Sequence, residues 1–232
     1  MVSPTVEMSV APAPRFRATE APDLDPFGRS RAAVEVALDL LLAPANPTDV
    51  RQLAREIDLS PGAISMARKR LQEVFLLTAD NRPLVHELFE ALAEAWRPHW
   101  LPLSQDSGGG VEDTEGPWVL TGDIAAAVLV LHSPSALQLP ATTYVATPRQ
   151  LHAAVSRFPA DDERNAACWM AVAPARLAIT RANEVEALAV PWQSGPVAPA
   201  VVVGLELSQD PGRGAEILAH WHLSEGSPWR TR

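Results

Sequence analysis

The stretch Val50–Leu77 reads VRQLAREIDLSPGAISMARKRLQEVFLL. Val50, Leu53, Ala54 and Ile57 recur at helical spacing and give a first helix one apolar face. Thr48 or Asp49, just upstream, can cap its N-terminus. Asp58-Leu59-Ser60 then makes a tight turn. Ser60 is a good N-cap for a following helix, and Pro61 is a favoured first helical residue. That next helix runs to about Val74, with Ile64, Ala67 and Leu71 inward. Its outward residues include Gly62, Ser65, Met66, Arg68, Lys69 and Gln72.

The flanks extend this pattern. Upstream, Ser30 caps a helix to about Ala43 with Val34, Ala37, Leu38, Leu41 and Leu42 on one face. Pro44, Asn46 and Pro47 break it. Downstream, Phe75–Thr78, a turn at Asp80-Asn81, and Arg82–Val85 predict a short hairpin. A fourth helix from His86 to about Trp96 aligns Leu88, Phe89, Leu92, Ala95 and Trp96, and Pro98 stops it. Helices, a three-residue turn and a hairpin describe a winged helix-turn-helix over residues 27–103. In such a unit one helix props up the next, whose exposed N-terminal half enters the DNA major groove. The residues fit that task. Arg68, Lys69 and Arg70 lie in the recognition helix, no acid occurs between Pro61 and Gln72, and Lys69 is the chain's only lysine. Gly62 admits close backbone approach, and the helix N-terminus favours a phosphate. Arg82, on the predicted wing, can reach a phosphate or the minor groove.

Val50–Leu77 resembles the helix-turn-helix of MarR-like and related bacterial winged-helix regulators. The resemblance implies that Ser60, Pro61, Gly62, Ser65 and Met66 face bases of double-stranded DNA. It implies that Arg68, Lys69 and Arg82 face the DNA backbone.

From Trp118 the pattern changes to short mixed strands and helices, which predicts a small α+β domain over residues 118–232. Strands are expected at Trp118–Leu120, Thr142–Ala146, Cys168–Ala173, Leu177–Thr180 and Val201–Leu207. Helices are expected from Thr121 to about Val130, from Thr147-Pro148 to about Phe158, and over Gly212–Trp221 with Asp210 as cap. The whole chain is thus expected to be α+β, a mainly helical winged helix-turn-helix followed by a mixed domain. Four features here resemble the C-terminal region of AbiEi-family proteins, in their divergent actinobacterial form: Trp118–Gly122 before an Ala-rich helix, the Tyr144-Val145 strand, Val172-Ala173-Pro174, and the run Val203–Leu218. Glu206 stands where that family usually carries an Asp. The resemblance implies a transcriptional regulator that also serves as the antitoxin of a type IV toxin–antitoxin pair, with a toxin as protein partner.

Composition narrows the remaining classes. The 232 residues carry a net charge of −9 with 47% hydrophobic residues, enough for a packed core. The acidity is uneven. Residues 1–26 hold −2 in a Pro- and Ala-rich stretch expected to be a disordered tail. Residues 104–117 hold −4 around Gly108-Gly109-Gly110 and read as an acidic, Gly-rich linker. The helix-turn-helix segment holds only −1. Net acidity therefore leaves local DNA binding open. The single Cys168 excludes an internal disulfide and any multi-cysteine metal site. His220-x-His222 points to two helix faces and lacks a third ligand. Gly122-Asp123 lacks the paired carboxylates of two-metal nucleotidyl transfer, and no P-loop, dinucleotide or nucleophile-elbow motif occurs. Neither an enzyme nor a cofactor is expected. No stretch is long enough to span a membrane and no secretory signal is visible, so the expected location is cytoplasmic. The main expectation is a sequence-specific transcriptional regulator. An antitoxin acting through its C-terminal domain and an interaction scaffold that never touches DNA are the alternatives. A homodimer is compatible with all three.

Overall fold

The computed structural model describes residues 25–28, 30–104, 116–131, 141–158, 166–183, 195–223 and 226–230. Most of the predicted tail and most of the predicted linker lie outside them. The fold is α+β, with helices first and a mixed four-stranded sheet with its own helices after. Helix α1 (Arg31–Leu42) starts at Ser30, whose hydroxyl accepts from the Ala33 N–H. Helices α2 (Val50–Ile57) and α3 (Pro61–Glu73) follow, then the hairpin and α4 (Val85–Ala95). The hairpin is narrow. Leu77 and Pro83 form a bridge, the Leu84 N–H donates to the Leu76 carbonyl, and the Thr78 N–H donates to the Arg82 carbonyl.

The sheet comprises β1 (Leu101–Leu103), β2 (Trp118–Thr121), β3 (Ala141–Val145) and β4 (Cys168–Val172), in the order β1-β4-β3-β2. Only β3 and β4 run parallel, as their crossover helix α6 (Pro148–Arg157) requires. Thr147 and Gln150 start α6 with a reciprocal capping box. Ala154 and Phe158 pack on one sheet face against Leu103, Val145 and Met170. The other face, through Tyr144 and Ala171, joins a core that continues into Leu38, Leu88 and Trp96 of the helical half. Strand β1 was not expected. It falls within the segment assigned to the helix-turn-helix, yet Leu101 sits opposite Met170 of β4. Its middle residue, Pro102, has no N–H to give a neighbour, which suits an edge strand.

Two expected strands are helices. Leu177–Thr180 forms α7, and Val201–Leu207 lies in α8 (Ala200–Leu207). In α8, Val202, Val203, Gly204 and Leu205 are buried together, so apolar residues cover every side. Such a run has no polar face to reveal its period, and its valines mimic a buried strand. Packing overrides their β preference. Helix α5 (Gly122–Ala126) continues through a wider π-turn over Ala127–Leu131, and α9 (Arg213–His220) closes the order. Two expected caps are used otherwise. The Thr121 hydroxyl donates to Glu206 instead of capping α5. Asp210 accepts from the Gly212 N–H, and Gly212 takes the cap position of α9.

Candidate nucleic-acid interface

Hydrogen bonds fix the α2–turn–α3 unit at both ends of the turn. Asp49 caps α2, accepting from the N–H groups of Arg51 at 2.9 Å and Gln52 at 3.3 Å, and these hold its carboxyl below the usual range. Asp58 adopts a left-handed φ of 57° and ends α2. Ser60 accepts from the Ala63 N–H at 3.2 Å and starts α3, with Pro61 at its first turn. Leu53, Ile57, Ile64 and Leu71 are fully buried beneath the pair. Each such side chain contributes about 2 kcal/mol.

The outer stripe of α3 follows helical spacing through Gly62, Ser65, Met66, Lys69 and Glu73, all exposed. Ser60 and Pro61 are exposed at its start. The Ser65 hydroxyl donates back to the Pro61 carbonyl at 3.0 Å. Lys69 lies 3.8 Å from Glu73, with both side chains largely in solvent. Arg82 sits exposed on the wing, 3.0 Å from Asp80. Thr78 ties that tip together, donating to Asp80 and accepting from the Arg82 N–H.

Arg68 and Arg70 flank the stripe and turn inward. Arg68 is half-buried, and its Nη2 donates to the Thr48 carbonyl at 2.7 Å. Arg70 donates to the Asp25 carbonyl at 2.6 Å, which fastens the segment before α1 to α3. The structure thus brings Ser60, Pro61, Gly62, Ser65, Met66 and Lys69 onto one surface, with Arg82 on the hairpin. It seats Arg68 in the joint between α2 and α3. Sequence reasoning missed Arg51 and Arg55. They lie one turn apart on α2, are exposed, and form no ion pair among the described residues. Their i, i+4 spacing was the available signal.

A second missed group links the two halves. Arg181, following α7, lies 2.8 Å from Asp39 of α1 and 2.9 Å from Glu56 of α2. It also donates to the Thr48 hydroxyl at 2.8 Å. Asp39 is fully buried and accepts from both the Thr48 N–H and its hydroxyl. Four residues earlier, buried Glu35 accepts from the backbone N–H groups of Arg176 and Leu177, at 2.6 and 3.1 Å. It caps α7 from another element. Burial raises the Glu35 carboxyl above its ordinary range, against the pull of those N–H groups and Arg31. Two acids four apart inside the apolar run of α1 were the signal, because buried charges demand partners.

The C-terminal half holds a third polar cluster. Glu206 of α8 accepts from the Thr121 hydroxyl at 2.7 Å and the Gly122 N–H at 2.8 Å. Tyr144 stands beside it and accepts from the Trp96 indole at 3.0 Å, while Trp100 stacks on the Tyr144 ring at 5.0 Å. Burial pushes the Glu206 carboxyl up to about 7, although its hydrogen bonds act the other way. Cys168 is half-buried, and burial pushes its thiol up to about 11, far from a reactive thiolate. His220 bonds its own helix at the Glu216 carbonyl, and His222 meets Arg230. Among the described residues no three His, Cys, Asp or Glu side chains are grouped to hold a metal. None of the described helices is long and apolar enough to cross a membrane. An open groove of about 1180 Å³ runs between the wing and α8, lined by Leu41, Leu84, Val85, Arg181, Pro199 and Val201 among others. No family model, curated protein or solved structure matches this chain.

Proposed function

We propose that this protein is a sequence-specific regulator of transcription that binds double-stranded DNA through α3. The observation that carries this reading is the exposed stripe Gly62, Ser65, Met66 and Lys69, held on a helix capped by Ser60 beside a hairpin. A helix of 13 residues is about 20 Å long, and its first two turns suit the major groove. Arg51 and Arg55 on α2, Lys69 on α3 and Arg82 on the wing supply the phosphate contacts. Arg68 positions α3 through Thr48. The C-terminal half, fastened by Arg181 and Glu35, supplies the sensing or partner-binding surface. Such a regulator works where the bacterial chromosome is, in the cytoplasm.

The test is a mobility shift with the gene's own upstream DNA and with sites selected from random duplex, repeated across salt. Four cations per protomer predict a log–log salt slope of about −4 or shallower. A two-fold dimer predicts half-sites about 34–36 Å apart. Absence of any selected duplex at 50 mM salt overturns the reading. Rescue from a toxic neighbouring gene product without any DNA binding replaces it with the antitoxin alternative.

A further inference from the structure

Met66, Phe75 and Leu84 are the large apolar side chains most exposed among the described residues. Phe75 lies beyond α3 in a left-handed conformation, and Leu84 ends the hairpin. Met66 alone occupies the outer stripe of α3, and it is 67% exposed. Of the side chains best suited to read purines, only Lys69 stays free of a carbonyl near it. Guanine is read best by a forked arginine and adenine by Asn or Gln. Arg68 and Arg70 are fastened to the Thr48 and Asp25 carbonyls, and Gln72 donates to the Thr78 carbonyl. Lys69 is left as the one cation on the stripe.

Gly62 adds an independent observation one turn away. Its backbone does not need a glycine, since its φ is not left-handed. A Cβ there would meet only the Ser60 hydroxyl, at 3.9 Å. Nothing inside the molecule excludes alanine, although glycine in a helix is the weaker choice by up to about a kilocalorie. A surface that approaches α3 from outside accounts for the missing methyl. An apolar group between a gap and the Lys69 cation matches a duplex edge whose central base offers an apolar contact. In the major groove the thymine methyl is that contact.

We propose that Met66 reads a thymine methyl group in the major groove, with Gly62 clearing the space for that approach. The inference rests on the DNA-binding reading and names its target, a half-site with an obligatory thymine beneath the middle of α3. The test uses the full chain and a duplex selected from random sequence. Each thymine is replaced in turn by deoxyuridine, which removes only the methyl, and affinity is read by fluorescence anisotropy. One position per half-site is expected to weaken binding about fourfold, the effect of one lost methyl-sized contact. Met66→Ala is expected to weaken binding to thymine DNA at least as much, and to show no further loss on deoxyuridine at that position. Met66→Leu keeps the preference. Gly62→Ala loses affinity with a melting temperature that is unchanged or raised. If the selected duplex binds but deoxyuridine has no effect, or its effect is undiminished in Met66→Ala, the proposal is overturned while DNA binding stands. If no duplex binds, and Met66→Ala instead abolishes self-association in sedimentation, the surface is a protein contact and both readings fall.

Discussion

Replacing Glu206 by Gln separates the cost of a buried charge from the benefit of its hydrogen bonds. The carboxylate is sealed, with Oε1 out of contact with solvent, and no cation is paired with it among the described residues. Its carboxyl moves from an ordinary 4.5 to about 7 on folding. The folded state therefore holds a proton that the unfolded chain has lost between those values. Stability is full below about pH 4.5, falls as pH rises, and levels off above about pH 7. At 1.36 kcal/mol per pH unit, the loss is about 3 kcal/mol. Gln keeps an oxygen for the Thr121 hydroxyl and the Gly122 N–H but does not titrate. Thermal melts between pH 5 and 8 should show a gap opening in favour of Glu206→Gln as pH rises. For a chain of this size the gap should reach about 6–12 °C. Glu35 is raised in the same direction, but it is common to both proteins and cancels in the comparison. A carboxyl carbon-13 titration should report the same midpoint near 7. Parallel melting curves for the two proteins across that range would refute the reasoning.

Two further perturbations probe the joint between the halves and the role of α3. Arg181→Ala leaves buried Asp39 without its cation and should cost about 3–5 kcal/mol in urea unfolding, partly recovered by Asp39→Asn in the same chain. Lys69→Ala and Arg82→Ala should each lower the salt slope of DNA binding by about 0.9 with an unchanged melting temperature, whereas Arg68→Ala should lower the melting temperature and the affinity at a constant slope. An Arg68→Ala protein of unchanged stability and reduced salt slope would return Arg68 to the phosphate-contacting set.

The helical half was legible because its signals are local. Ser30, Asp49 and Ser60 mark helix starts through bonds to residues two or three away, Pro61 marks one through its fixed φ, and each start falls where these residues predict. The Thr147 start of α6 was legible for the same reason. What failed depends on distant partners. Val201–Leu207 presents no polar face because α8 is enclosed on all sides. Leu101–Leu103 becomes a strand only because β4 lies alongside it, some seventy residues later in the chain. The exposed residues of α3 could be read from helical period alone, since Ile64, Ala67 and Leu71 fix which face is buried. The inward turn of Arg68 could not. A long cation at the edge of a helix goes to solvent or to a neighbour's carbonyl, and the nearby carbonyl of Thr48 belongs to another element.

Thr48 is where these non-local choices meet. Its N–H and hydroxyl both donate to Asp39, and the hydroxyl also accepts from Arg181. Its carbonyl accepts from Arg68 of α3. Every polar atom of this one residue is engaged, by α1, by the segment after α7, and by α3. Asp39 is fully buried, so Arg181 cannot leave without stranding it. The position of α3 is consequently not a property of α2 and the turn alone. It is set jointly with α7, whose own N-terminus is capped by Glu35 from one turn earlier in α1 than Asp39. The two halves share a continuous apolar core as well as this polar joint, so a displacement of α7 must either break buried hydrogen bonds or carry α1 and α3 with it.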